Sequence, residues 1–199
     1  MEISTELIKQ IRERTGAGVL DCRKALTECA CDLEKAIEYL RKMGIAAAAK
    51  KASRVASEGL VEAYIHPGSR VGALVEVNCE TDFVARTSEF KTLVREVAMQ
   101  VVASDPVAVS RQQVPPELLE KEKEILAAQV AGSGKPPQIV EKIVQGKLDK
   151  FFKDNCLLEQ PFIKDPKRSV EEMVKEAAGR FGENIVVRRF SRFRLGQCS

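Results

Sequence analysis

Over the first 44 positions, apolar residues recur at three- and four-residue spacing, which gathers them on single helical faces. Ser4 stands where a cap is needed ahead of Leu7, Ile8 and Ile11, and Thr15-Gly16-Ala17-Gly18 closes that first helix in a tight turn. Val19, Cys22, Leu26 and Cys29 make a second stripe. Asp32 opens a third helix with Leu33, Ala36, Ile37 and Leu40, which Gly44 is expected to end. Residues 1–44 thus read as a three-helix module, and 45–56 as a helical linker, Ala- and Lys-rich and with little to bury.

The period then changes to two. Residues 60–65 and 71–77 alternate around Pro67-Gly68-Ser69, the pattern of a hairpin. Helical spacing returns with Phe90, Leu93, Val94, Val97 and Val101 until Asp105-Pro106 stops it. Pro115-Pro116 opens a charged helix over 117–130, a further helix covers 138–152, and Ser169-Val170-Glu171-Glu172 caps one that reaches about 178. Residues 185–195 read as the last strand, with Ile185, Val187, Phe193 and Leu195 on one face and Arg188, Arg192 and Arg194 on the other. Residues 57–199 are therefore expected to form an α+β core, a small antiparallel sheet with helices packed on one face. About three strands from one chain leave open edges, which predicts a second copy beside this one.

Composition narrows the function classes. The 199 residues carry 32 Lys+Arg against 29 Asp+Glu, a net charge of +3, so a polyanion-coating role is not expected. A cationic strand face accounts for the Arg-rich end without RNA, and no direct nucleic-acid partner is expected. With 44% hydrophobic but only 5% aromatic residues, the core must be aliphatic, and each phenylalanine becomes informative. No run approaches the ~18 apolar residues of a membrane span, and charges pervade the N-terminus, so a cytoplasmic protein without membrane contact is expected. The six cysteines are dispersed and are expected as free thiols. Cys22, Cys29 and Cys31 lack the spacing of a zinc site, and neither metal nor cofactor is expected.

Catalytic patterns fail on inspection. Gly132-Ser133-Gly134-Lys135 resembles a phosphate loop, but Gln129 stands where a glycine is needed and Pro136 where Ser or Thr is needed. Any histidine-based nucleophile would have to use His66, at a hairpin turn next to Pro67. No covalent chemistry is expected. The most pointed stretch is Thr81-Asp82-Phe83-Val84-Ala85-Arg86, between a strand and a helix where a loop should project. From the residues alone the preferred reading is a helix cap, Thr or Asp, with Phe83 stapled into the core.

The run Asn78-Cys79-Glu80-Thr81-Asp82-Phe83-Val84-Ala85 and the stretch from Arg12 through Gly16-Ala17-Gly18-Val19-Leu20-Asp21-Cys22 to Leu26 resemble the two signature stretches of translation elongation factor Ts. Ala49-Lys50-Lys51-Ala52 and Ser133-Gly134-Lys135-Pro136 match as well, so the resemblance runs from residue 3 to about 195. It implies a ubiquitin-associated-like N-terminal module and a guanine nucleotide exchange factor for elongation factor Tu. By the same resemblance, Arg12, Val19 and Leu20 touch the GTPase domain, the last two standing where the family more often has Met-Met. Thr81, Asp82, Phe83 and Val84 carry over as the group that dislocates magnesium, Phe83 wedging between helices of the GTPase. The chain departs from longer members in having one sheet-and-helix core unit, no coiled-coil insertion and no helical module after Leu195. Such short forms are expected to act as homodimers, and Cys198 near the end of the last strand is a candidate cross-link.

Overall fold

The computed structural model describes residues 3–131 and 136–197. In chain order its elements are α1 (Thr5–Thr15), α2 (Val19–Glu28), α3 (Leu33–Ala49), β1 (Glu58–Ile65), β2 (Val71–Cys79), α4 (Asp82–Ala85), α5 (Ser88–Ser104), α6 (Pro116–Ala131), α7 (Pro137–Asn155), β3 (Pro161–Phe162), β4 (Asp165–Ser169), α8 (Val170–Phe181) and β5 (Val186–Arg194). The architecture is α+β. Two compact units divide the chain: Met1–Gly59 with Asn78–Phe90 and Glu172–Val186, and Leu60–Val77 with Lys91–Glu171 and Val187–Ser199. The phosphate-loop resemblance at 132–135 and the candidate cross-link Cys198 lie outside the described residues. The five described cysteines are free thiols.

In the first unit, Ser4 Oγ accepts the Leu7 amide at 3.2 Å and starts α1, while Asp32 does the same for the Lys35 amide at the start of α3. Ile11, Cys22, Ala25, Leu26 and Ala36 are wholly buried among the first three helices, on the stripes their spacing selects. One boundary differs from expectation. Gly44 does not end α3, and no separate linker helix follows: α3 runs through to Ala49, and turns occupy 50–53. A helix-interior glycine costs roughly 1 kcal/mol relative to alanine. α3 crosses α8 at this point, and it is Gly179 of α8 that must stay bare: a methyl group there would come within 2.8 Å of the Gly44 backbone, whereas one on Gly44 would meet nothing within 4 Å. Arg41 pairs with Glu172 at 3.4 Å and with Glu176 beside the same crossing.

The three-stranded sheet has the order β1-β2-β5 and is antiparallel, with His66 N donating to Val71 O at 3.0 Å to close the first hairpin. Along β2, Ala73, Val75 and Val77 are buried and Leu74 is exposed, the alternation of a sheet with one covered face. α5 buries Leu93, Val94, Val97, Ala98 and Val101. α6 and α7 share a smaller core of Leu126, Leu148 and Phe152 with Val114 and Cys156. β3 and β4 form a two-stranded sheet that no apolar alternation announces. It is fastened instead by the wholly buried Gln100, whose Nε2 donates to Gln160 Oε1 and Pro161 O, both at 3.2 Å, and whose Oε1 accepts the Ile163 amide at 2.9 Å.

The last strand departs from strict alternation. Val187 is buried, Arg188 and Arg189 are both exposed, and beyond that slip Arg192 turns inward. The Arg192 side chain is only 11% exposed; it pairs with Asp105 at 2.9 Å and donates to the Val102 carbonyl at 3.3 Å, at the C-terminal end of α5 where a cation is favoured. Phe193 and Leu195 therefore point outward at 68% exposure each, away from the buried set of Ile185 and Val187. The expected division into one apolar and one cationic face holds for only part of the strand. No helix among the described residues is long and apolar enough to cross a membrane.

Candidate functional site

Two helical first turns in the first unit expose apolar side chains. At the first, Gly16 takes a left-handed φ of 68° and returns its amide to the Arg12 carbonyl at 2.8 Å, ending α1. Thr15 Oγ1 donates to Ile11 O at 2.7 Å and accepts the Ala17 amide at 3.2 Å, and the buried Cys22 thiol donates to Ala17 O at 3.5 Å. Burial pushes that thiol above its ordinary value. α2 then begins on Gly18 with no side-chain cap. Val19 and Leu20 occupy its first turn at 49% and 80% exposure, and Arg12 is exposed on α1.

At the second, Thr81 is the cap of α4, its Oγ1 accepting the Val84 amide at 3.4 Å. Phe83 stands out at 79% exposure, Asp82 and Val84 are half-buried, and Ala85 is buried. Asp82 pairs with Arg86 one turn on, at 2.7 Å. Thr87 ends the turn by donating to Val84 O at 2.8 Å, and its hydroxyl accepts the Phe90 amide at 3.2 Å to start α5. The cap half of the residue-level reading therefore holds, whereas the staple half does not: Phe83 is outside the core.

The backbone under Thr81 is tied to the segment that follows α8. The Glu183 carboxylate accepts the Glu80 and Thr81 amides, each at 3.0 Å, and the Thr81 hydroxyl at 2.6 Å. Asn184 donates its amide to Glu80 Oε1 at 2.6 Å and its side-chain Nδ2 to the carbonyls of Ala52 and Arg54, at 3.3 and 2.8 Å. Lys51 Nζ reaches Gly182 O at 2.6 Å. The buried Cys79 thiol donates to Thr81 O at 3.2 Å, and burial, helped by the nearby Glu183 charge, pushes it up to about 11. Sequence reasoning missed Glu183 and Asn184, because nothing local ties them to a loop about a hundred positions upstream. The only cue is Gly182, a left-handed helix end with φ 71° that brings the chain out of α8 just before them.

Both turns can offer an apolar surface to a partner, and neither assembles a nucleophile with a base. Comparison with known proteins gives the family. The profile described as Elongation factor TS matches residues 7–197. The chain is 57% identical over 195 residues to Elongation factor Ts of Thermoanaerobacter sp. (strain X514), covering 98% of this chain and 96% of that one. It is 61% identical over 190 residues to Elongation factor Ts of Moorella thermoacetica, with 96% and 94% covered. Against Elongation factor Ts of Carboxydothermus hydrogenoformans the identity is 58% over 195 residues, with 98% and 90% covered.

Proposed function

The chain belongs to the elongation factor Ts family, and from that premise we propose that it is the guanine nucleotide exchange factor of elongation factor Tu in translation elongation. It promotes GDP release by displacing magnesium and the phosphate-binding region of the GTPase, and stays bound until GTP enters. The observation that carries this reading is Phe83, a large aromatic side chain 79% exposed on a one-turn helix whose cap is tied down from behind. An exposed aromatic on a fixed mount is fitted to enter a partner's cleft. Linkage supplies the mechanism. A factor that binds the nucleotide-free GTPase better than the GDP-bound form weakens GDP by the same factor, and about 5.5 kcal/mol of difference corresponds to about 10⁴.

Roles divide along the chain. Residues 1–44 serve as the GTPase-binding module, with Arg12, Val19 and Leu20 as its contacts; 45–56 connect; and 57–199 carry Thr81, Asp82, Phe83 and Val84 and the surface for a second copy. The dimer reading is supported by the outer face of the sheet, where Ile65, Leu74, Phe193 and Leu195 line one shallow apolar depression. β1 and β5 are its open edges. Light scattering at micromolar concentration is expected to give twice the 22.0 kDa chain, and Leu74→Glu with Phe193→Glu to split it. A compact monomer at full exchange activity would overturn the dimer.

The exchange reading is tested by fluorescent GDP release from purified elongation factor Tu. Wild type in trace amounts is expected to accelerate release, and Phe83→Ala to slow it by about tenfold or more while stability stays within about 1 kcal/mol. Unchanged release with Phe83→Ala would defeat the wedge.

A further inference from the structure

Glu183 has no place in either signature stretch, yet its carboxylate takes three hydrogen bonds from two consecutive residues of the turn that carries Phe83. A carboxylate accepting two adjacent backbone amides and a hydroxyl fixes both the peptide plane and the rotamer of Thr81. Thr81 Oγ1 is then used twice, donating to Glu183 and accepting from Val84, so the first turn of α4 hangs on that carboxylate. Asn184 clamps the neighbouring residue, its amide on the Glu80 carboxylate and its side chain on the 52–54 turn. The turn is short. α4 spans four residues, too few to hold a direction by its own backbone hydrogen bonds, so what sets the direction of Phe83 is external.

We propose that Glu183 is a positioning residue for nucleotide exchange, acting through the Thr81 turn to aim Phe83; this rests on the wedge reading of Phe83. A wedge on a slack mount meets its cleft in the wrong orientation more often than not, which lowers the rate of release from the bound complex rather than the strength of the complex. The binding residues at the α2 turn do not depend on Glu183, so association survives its loss. Glu183→Gln keeps the size but removes the charge that strengthens all three hydrogen bonds, and the new amide nitrogen no longer accepts the proton of the Thr81 hydroxyl.

The test is single-turnover GDP release with the factor in excess over elongation factor Tu, read as plateau rate and half-saturating concentration. Glu183→Gln is expected to lower the plateau about tenfold and to leave half-saturation within about twofold. A variant that has merely lost folded molecules does the opposite, shifting half-saturation and keeping the plateau. In a Phe83→Ala background, Glu183→Gln is expected to add nothing, because its effect passes through that ring. If Phe83→Ala slows release and Glu183→Gln does not, the positioning role is wrong and the wedge stands. If Phe83→Ala itself has no effect, the wedge reading falls first. If both variants slow release but the double variant multiplies the two effects, Glu183 acts elsewhere and the proposal is overturned. Should Glu183→Gln show no cooperative unfolding, Thr81→Val removes the hydroxyl's bond to Glu183 together with its cap on the Val84 amide, at nearly constant volume. Its plateau is then expected to fall about threefold, and an unchanged plateau overturns the proposal.

Discussion

The α2 and α4 first turns are built from the same parts and held in opposite ways. Each presents apolar side chains just after a cap, and each rests on a buried thiol that donates to a carbonyl of the preceding loop. The α2 turn has a bare glycine cap, and the other hydrogen bonds of its loop run to Thr15 and to the last turn of α1, all close by in the chain. The α4 turn has a threonine cap and is fastened to Glu183 and Asn184, more than a hundred positions away. A contact that only has to hold on can stand on a loosely tied turn, since the partner's surface orients it. A contact that has to push must already point the right way, and ordering it in advance takes connections that its own four residues cannot supply.

That contrast can be broken or sharpened by measurement. Leu20→Ala should raise the half-saturating concentration about fivefold and leave the plateau rate of GDP release unchanged. A lowered plateau would erase the distinction between the two turns. A smaller effect comes from the thiols. The folded-state value of Cys79 is raised from 9 to about 11, so the folded protein holds that proton more tightly than the unfolded chain. Its stabilising contribution is complete below pH 9 and is lost as pH rises through 11. Thermal midpoints are accordingly expected to fall across that window, with Cys79→Ala flattening the fall more than Cys22→Ala does. Equal flattening would mean that the two thiols stand in equivalent surroundings. The smallest change is Gly18→Ser, which gives α2 the side-chain cap it lacks. Chemical denaturation should report a few tenths of a kcal/mol or less, with no change in exchange.

Those elements whose reasons are local were legible in the sequence. Ser4, Asp32 and the stripe through Ile11, Cys22, Leu26 and Ala36 announce α1 to α3 because cap and face lie within one helix. Gly44 misled for the opposite reason: its propensity says stop, yet α3 continues through it to Ala49, and a helix 135 positions later packs its own Gly179 against that backbone. Arg192 misled likewise, since a slip at Arg188 and Arg189 reverses the faces and the C-terminal end of α5 takes the cation in. In the candidate site, Thr81 was readable as a cap, and Phe83 was ambiguous until its exposure was seen. Glu183 and Asn184 were invisible, being two ordinary polar residues after a helix whose partners are set by the tertiary fold.

The tie between Thr81 and Glu183 spans 102 positions, and this bears on how the protein is made. On the ribosome the Thr81 turn leaves the exit tunnel well before the residue that steadies it. At about 5–20 residues per second the interval is roughly 5–20 s. For that time the nascent chain displays an exposed phenylalanine with nothing behind it to set its direction, and the α1–α3 module is already complete. On the roles proposed above, growing chains grip a GTPase before they can empty it, and competence for exchange waits for Glu183.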